Sequence, residues 1–135
     1  PWDVMVRQII RADPKDEANR GAGFWLARGL VKDGQNPIEY SALTKDVGRL
    51  FLGKNFQCCE CHDHLFIDDY KQHHFQALHA FFKPATAVGP VGVQVGPTTA
   101  PTTFASVFTK VPMTTHPGLP GGTTVPVPTF PPGEE

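Results

Sequence analysis

The stretch "FQCCECHDHLF", residues 56–66, holds all three cysteines of the 135-residue chain and two of its six histidines. Within it, Cys58, Cys61 and His62 form C-x-x-C-H. Two thiols three residues apart suit attachment to the two vinyl groups on one edge of a porphyrin, and the imidazole next in sequence then falls under the iron. The spacing predicts one covalently bound haem c, with Cys58 and Cys61 as the thioether positions and His62 as the proximal axial ligand of the iron. Such a group needs an apolar wall to exclude water, and Phe51, Phe56, Phe66, Phe75, Phe81 and Phe82 are expected to supply it. In a chain this short the haem would make up much of the core.

Other chemistry uses the same residue types. Cys58, Cys59, Cys61, His62 and His64 are zinc-ligand residues, and a zinc knuckle is the lesser alternative. Structural zinc, however, draws its ligands from two separated pairs, and no second Cys or His pair of that spacing occurs. C-x-x-C also serves thiol–disulfide exchange, where a strand leads in and the first cysteine opens a helix; here a capped helix is expected to precede it. As structural staples, three neighbouring thiols have no distant partner. Haem attachment does not use Cys59, which reads either as buried and inert or as a thiol that oxidises between chains. The candidates for the distal side of an iron are Met113, His116, His79, His74 and His73, or no ligand. Met113 and His116 are preferred, because they lie in a separate loop able to fold over the far face. His64, two residues past His62, reads as a propionate contact or a ligand to a neighbouring haem.

Outward from the cluster, the chain changes character near Pro84. Ten of the twelve Lys and Arg residues lie at or before Lys71, whereas eleven of fourteen Pro and eleven Thr lie after Lys83. Before Pro84 helical periodicity is visible. Trp2, Met5, Val6, Ile9 and Ile10 follow helical spacing and predict a short amphipathic helix with a buried face. Residues 21–31, "GAGFWLARGLV", predict a second. Asn36 as cap, Pro37 at the first position and Glu39 as capping-box partner open a third, with Leu43, Val47, Leu50 and Phe51 on one stripe and Gly53 as the stop. Asp68 and Asp69 favour the start of a fourth, in which Tyr70, His74, Leu78, Phe81 and Phe82 share a face and which Pro84 ends.

The fold expected from this pattern is mainly α. Residues 1–83 form a small helical haem-binding domain, and residues 84–135 form an extended Pro/Gly/Thr-rich arm. In the arm "VGVQV" (91–95), "TFASVFTKV" (103–111) and "TTVPVP" (123–128) read as short strand-like segments at a sheet edge or against a partner. Pro- and Thr-rich sequence in an exported protein also reads as an O-glycosylated stalk. Twelve basic and thirteen acidic residues nearly cancel and form no basic stripe, which excludes nucleic acid as a partner. The uncharged stretch from Pro84 to Thr109 is too broken by Gly, Pro and Thr to span a membrane.

Residues 41–82, "SALTKDVGRLFLGKNFQCCECHDHLFIDDYKQHHFQALHAFF", resemble the cytochrome-c-like domain of large exported planctomycete proteins. There an "FLG" turn precedes a C-x-x-C-H-D-H element and a Tyr/Phe-rich helix ending in "AFF" follows. The likeness extends more loosely to "PWDVMVRQII" at the start and "SVFTKVPMTTHPGLPGG" at 106–122. It implies a cytochrome-c-like helical fold around covalent haem, a periplasmic or extracellular place, and electron transfer with redox partner proteins; only Cys58, Cys61 and His62 carry over as site residues. Cys59 departs from the pattern, and such domains commonly continue into a larger protein where this chain ends at Glu135. The expected function is a single-electron relay and not an enzyme. A haem-carrying filament or homo-oligomer whose arm packs on a neighbouring chain is the alternative. A peroxidase-like activity ranks last, because no distal Arg/His pair is evident.

Overall fold

The structure, a computed structural model, describes residues 1–31, 37–96 and 101–122. The described residues divide into two compact units: those of 1–43 with 85–96, and those of 44–84 with 101–122. The division falls inside one helix.

The first unit opens with α1 (Trp2–Arg11), which Ala12 ends in the left-handed conformation, its N–H donating to the Gln8 carbonyl. A 3-10 segment (Glu17–Gly23) runs into α2 (Phe24–Gly29), and after Pro84 the antiparallel pair β1 (Ala85–Val88) and β2 (Gly92–Val95) joins the same unit. Val93 N–H donates to the Ala12 carbonyl (3.0 Å), so the end of α1 is tied to β2 by a backbone bond. Only glycine fits at Gly23, where a Cβ would lie 2.0 Å from the Val91 carbonyl oxygen. Leu26, Ala27, Leu30, Leu43, Ala85 and Val93 are buried here. The buried face expected on α1 is not observed: Trp2 and Met5 are exposed, Val6, Ile9 and Ile10 are half-buried, and no residue of the helix is fully covered.

In the second unit, α3 (Tyr40–Phe51, of which Tyr40–Leu43 belong to the first unit) buries Thr44 and Val47. It begins at Tyr40 rather than Pro37, and Asn36, the expected cap, lies outside the described residues. Gly53 ends it as expected: its φ is +62°, and the Leu52 and Lys54 N–H groups both donate to the Gly48 carbonyl. Phe56 then turns back against Gly48, where a Cβ would stand 2.8 Å from its ring. A 3-10 turn (Cys58–Glu60) and a loop lead to α4 (Gln72–Phe82), which buries Gln72, Phe75, Ala77, Leu78, Ala80 and Phe82. The antiparallel pair β3 (Thr102–Ala105) and β4 (Pro112–Thr115) packs on α4 through the alternate residues Thr102, Phe104 and Thr115.

The mainly helical fold is therefore corrected. Among the described residues there are four α-helices and two small antiparallel two-stranded sheets, a mixed α and β architecture. The described segments beyond Pro84 contribute buried groups to both units instead of lying as an arm. The physical reason is that Gly and Pro at 89–90 and the turn at 107–109 reverse the chain, so that neighbouring four-residue segments pair with each other. Segments 91–95 and 103–111 contain β2 and most of β3; β1 carried no strand signal, and 123–128 lies outside the described residues.

Candidate functional site

The C-x-x-C-H segment folds as one tight turn. The Cys58 carbonyl accepts from the N–H groups of both Cys61 and His62, at 3.3 Å each. The two bonds put Cys58, Cys61 and His62 at positions i, i+3 and i+4 of one turn, the spacing at which helical residues share a side. Both thiols are free and exposed. Cys59 points the other way: it is fully buried, and its N–H donates to the Phe56 carbonyl at 2.9 Å. Burial above all, and then the neighbouring Cys58, raises the pKa of the Cys59 thiol, so it stays protonated.

Distant parts of the second unit hold this turn in place. Gln72, 2% exposed, donates from its side-chain amide to the carbonyls of Glu60 (3.2 Å) and Ala105 (3.1 Å), and Gln76 also donates to Glu60 (3.1 Å). The Glu60 carboxylate pairs with Lys45, and the Cys61 carbonyl accepts from Val107 N–H at 3.0 Å. Asp63 receives the Gln72 backbone N–H on its carboxylate (2.8 Å), with Lys71 Nζ 3.6 Å away. It is Asp63, rather than Asp68 or Asp69, that meets the start of α4; those two lie in a turn four and three residues before Gln72. None of these ties was legible in the sequence. Gln72 is an ordinary polar residue until the fold buries it.

Around the turn the surface is apolar. Phe66 is 90% exposed, Leu65 67% and Phe108 68%, and the Phe108 ring lies 4.8 Å from the His62 ring. The expected phenylalanine wall is largely elsewhere: Phe56, Phe75 and Phe82 are buried in the unit's core, Phe51 and Phe81 are half-buried, and of the six only Phe66 is fully open beside the motif. Phe108 belonged to no expected site. His64 serves its own loop. Its Nδ1 accepts from the Phe66 and Ile67 N–H groups, and its own N–H donates to the Tyr70 carbonyl.

The ring against His62 comes from none of the five distal candidates. Met113 lies on β4 opposite Phe104, and His116 follows that strand, exposed. His73 is exposed on α4 with its ring 4.2 Å from that of His74, whose Nδ1 accepts from Lys71 N–H. His79 stacks on Phe75 and has a buried Nδ1 with no partner among the described residues. Burial is the leading cause that lowers the pKa of both His74 and His79. Among the described residues, no three His, Cys, Asp or Glu side chains gather into a group able to hold a metal ion by themselves, and no helix is long and apolar enough to cross a membrane.

A family model described as "PSCyt2: Protein of unknown function (DUF1549)", a planctomycete-associated domain, matches residues 1–87, and so includes the whole C-x-x-C-H turn and α4. No curated protein and no solved structure matches the chain.

Proposed function

The chain belongs to the PSCyt2 (DUF1549) family, and from that premise we propose that it binds one haem c through Cys58 and Cys61, with His62 as an axial ligand, and passes single electrons to redox partners outside the cytoplasm. The observation that carries this reading is the sorting of three near-adjacent cysteines: the two thiols of the C-x-x-C-H motif are free and exposed, and the third, Cys59, is buried in the core. A residue pair at i and i+3 with an imidazole at i+4 meets the spacing that two vinyl groups and one iron require.

The residues present fit the group. Leu65, Phe66 and Phe108 offer apolar cover at the surface, where an aromatic residue open to water otherwise gains nothing. In attachment each thiol adds its S–H across one vinyl group: an S–C bond forms, the hydrogen ends on the adjacent carbon, and no atom leaves. When bound, the haem supplies a one-electron couple whose potential follows from its ligands and its exposure. The chain's part is to present the thiols, to hold the imidazole, and to keep Cys59 out of the reaction. Gln72, Asp63 and Val107 hold the turn through hydrogen bonds, so the three groups need no reordering when the cofactor arrives.

The test is expression of the full chain in a host with cytochrome c maturation machinery, followed by intact mass and a pyridine haemochrome spectrum. The expected product is red and heavier than the polypeptide by about 616 Da, one haem on two thioethers. A colourless product of unmodified mass, with Cys58 and Cys61 both open to alkylation, overturns the reading.

A further inference from the structure

His62 Nδ1 lies 2.6 Å from the carbonyl oxygen of Asp63. A carbonyl oxygen can only accept, so the hydrogen of that bond is on Nδ1, and in the neutral ring Nε2 keeps the lone pair. The ring thus offers its outer nitrogen as a base or ligand, with the tautomer assigned by its acceptor.

What holds that acceptor is the other end of the same residue. The Asp63 carboxylate receives the Gln72 backbone N–H at 2.8 Å, at the first position of α4, where helix N–H groups lack partners within the helix and favour a negative charge. The peptide after His62 is therefore clamped between the imidazole on one side and the start of a buried helix on the other. Gln72 is itself held by the hydrogen bonds its side-chain amide donates to the carbonyls of Glu60 and Ala105. We propose that Asp63 is a positioning residue: by joining the first turn of α4 to the His62 ring, it fixes His62 in the Nδ1–H tautomer and presents Nε2 for ligation. The proposed use of Nε2 rests on the haem reading, whereas the tautomer and its support do not.

The test uses the full chain, uniformly labelled with 15N and made in a host without haem-attachment machinery. Long-range 1H–15N correlation spectra are recorded at a pH well above the histidine range, where every imidazole is neutral. In the wild type, His62 is expected to show a protonated, pyrrole-type Nδ1 and a pyridine-type Nε2. Asp63→Ala is expected to shift the ring toward the opposite tautomer, whereas Asp63→Asn, which keeps an acceptor for Gln72 N–H, restores the wild-type pattern. A purely structural role for Asp63 would lower stability in both variants without exchanging the two nitrogen signals.

Should Asp63→Ala fail to fold, Gln72 supplies the second arm. Gln72→Ala removes the side-chain bonds but keeps the backbone N–H, and is expected to keep the tautomer. Gln72→Pro removes that N–H too, at a helix position where proline is accepted and after a Lys71 whose φ and ψ of −102° and 150° suit it, and is expected to release the tautomer. A wild-type ring protonated on Nε2, or a tautomer indifferent to both Asp63→Ala and Gln72→Pro, overturns the proposal. Because no haem is present, a failure of haem attachment and a failure of this clamp are separate results.

Discussion

Each unit leaves large apolar side chains open to water, but in different company. In the first unit three of them lie along α1, where Trp2 is 62% exposed and Val4 and Met5 43% each, with no cysteine or histidine on that helix. In the second, Phe108 packs on His62 and Leu65 and Phe66 follow the motif closely in sequence, beside two free thiols, and hydrogen bonds from the buried Gln72 amide tie the turn to α4 and β3. An open apolar face alone names no ligand. Its meaning comes from the chemistry beside it and from whether the backbone there is held.

The largest effect that separates the two faces concerns the cofactor itself. Replacing Cys58 and Cys61 together by Ala should abolish covalent attachment completely, as read by intact mass, whereas Trp2→Ala with Met5→Ala should leave it unchanged. Loss of attachment in the α1 variant would erase the distinction. In the loaded wild type, oxidative footprinting should find Phe66 and Phe108 protected and Trp2 as reactive as in the apo chain.

Stability should separate them next. Phe56 is fully buried and pressed against Gly48, so Phe56→Ala should destabilise the second unit by about 3–5 kcal/mol in denaturant unfolding. Trp2→Ala, at an open site, should change stability by less than about 0.5 kcal/mol. Comparable values for the two would mean that α1 is covered in solution. Between them stands Cys59→Ser, which buries a hydroxyl in a space shaped for sulfur at a cost of about 1–3 kcal/mol and should leave haem attachment intact. In the folded apo chain, iodoacetamide should modify Cys58 and Cys61 quickly and Cys59 only after unfolding, because burial both shields that thiol and keeps it protonated.

What was legible in advance was local. The cluster at 58–62 stands out by its residue types and spacing, although the turn it forms does not, and Gly53 could be read as a helix stop because a residue at ease with positive φ closes α3 there. Helix starts were less legible. The partner of the α4 start is Asp63, nine residues before Gln72, and not the adjacent acidic pair. The stripe on α1 was a sound pattern with the wrong consequence, since periodicity shows that a helix has an apolar face but not that anything covers it. In the sequence the β pairs look like an arm because Pro and Gly density signals turns and loops, and four-residue strands such as "ATAV" carry too little alternation to register. Gln72, Val107 and Ala105 could not be found from sequence at all. Their roles are hydrogen bonds across as many as 46 residues of chain, between Cys61 and Val107, and no local pattern encodes such a bond.

The smallest effect is a pH dependence that belongs to the second unit. His79 is half-buried, its Nδ1 has no partner among the described residues, and burial lowers its pKa below the ordinary 6.5; burial lowers that of His74 as well. The unfolded chain then binds protons at these sites that the folded chain resists, so stability rises with pH through the window below about 6.5 and is fully present above it. As pH falls from 6.5 toward the lowered folded values, this contribution is lost. His79→Gln, which keeps a polar group of similar reach and cannot titrate, should flatten that part of the stability curve between pH 7 and pH 5, measured by denaturant midpoint against pH. A slope unchanged in His79→Gln, or one of opposite sign in the wild type, would mean that the His79 ring meets solvent or an acceptor and is not sealed against Phe75.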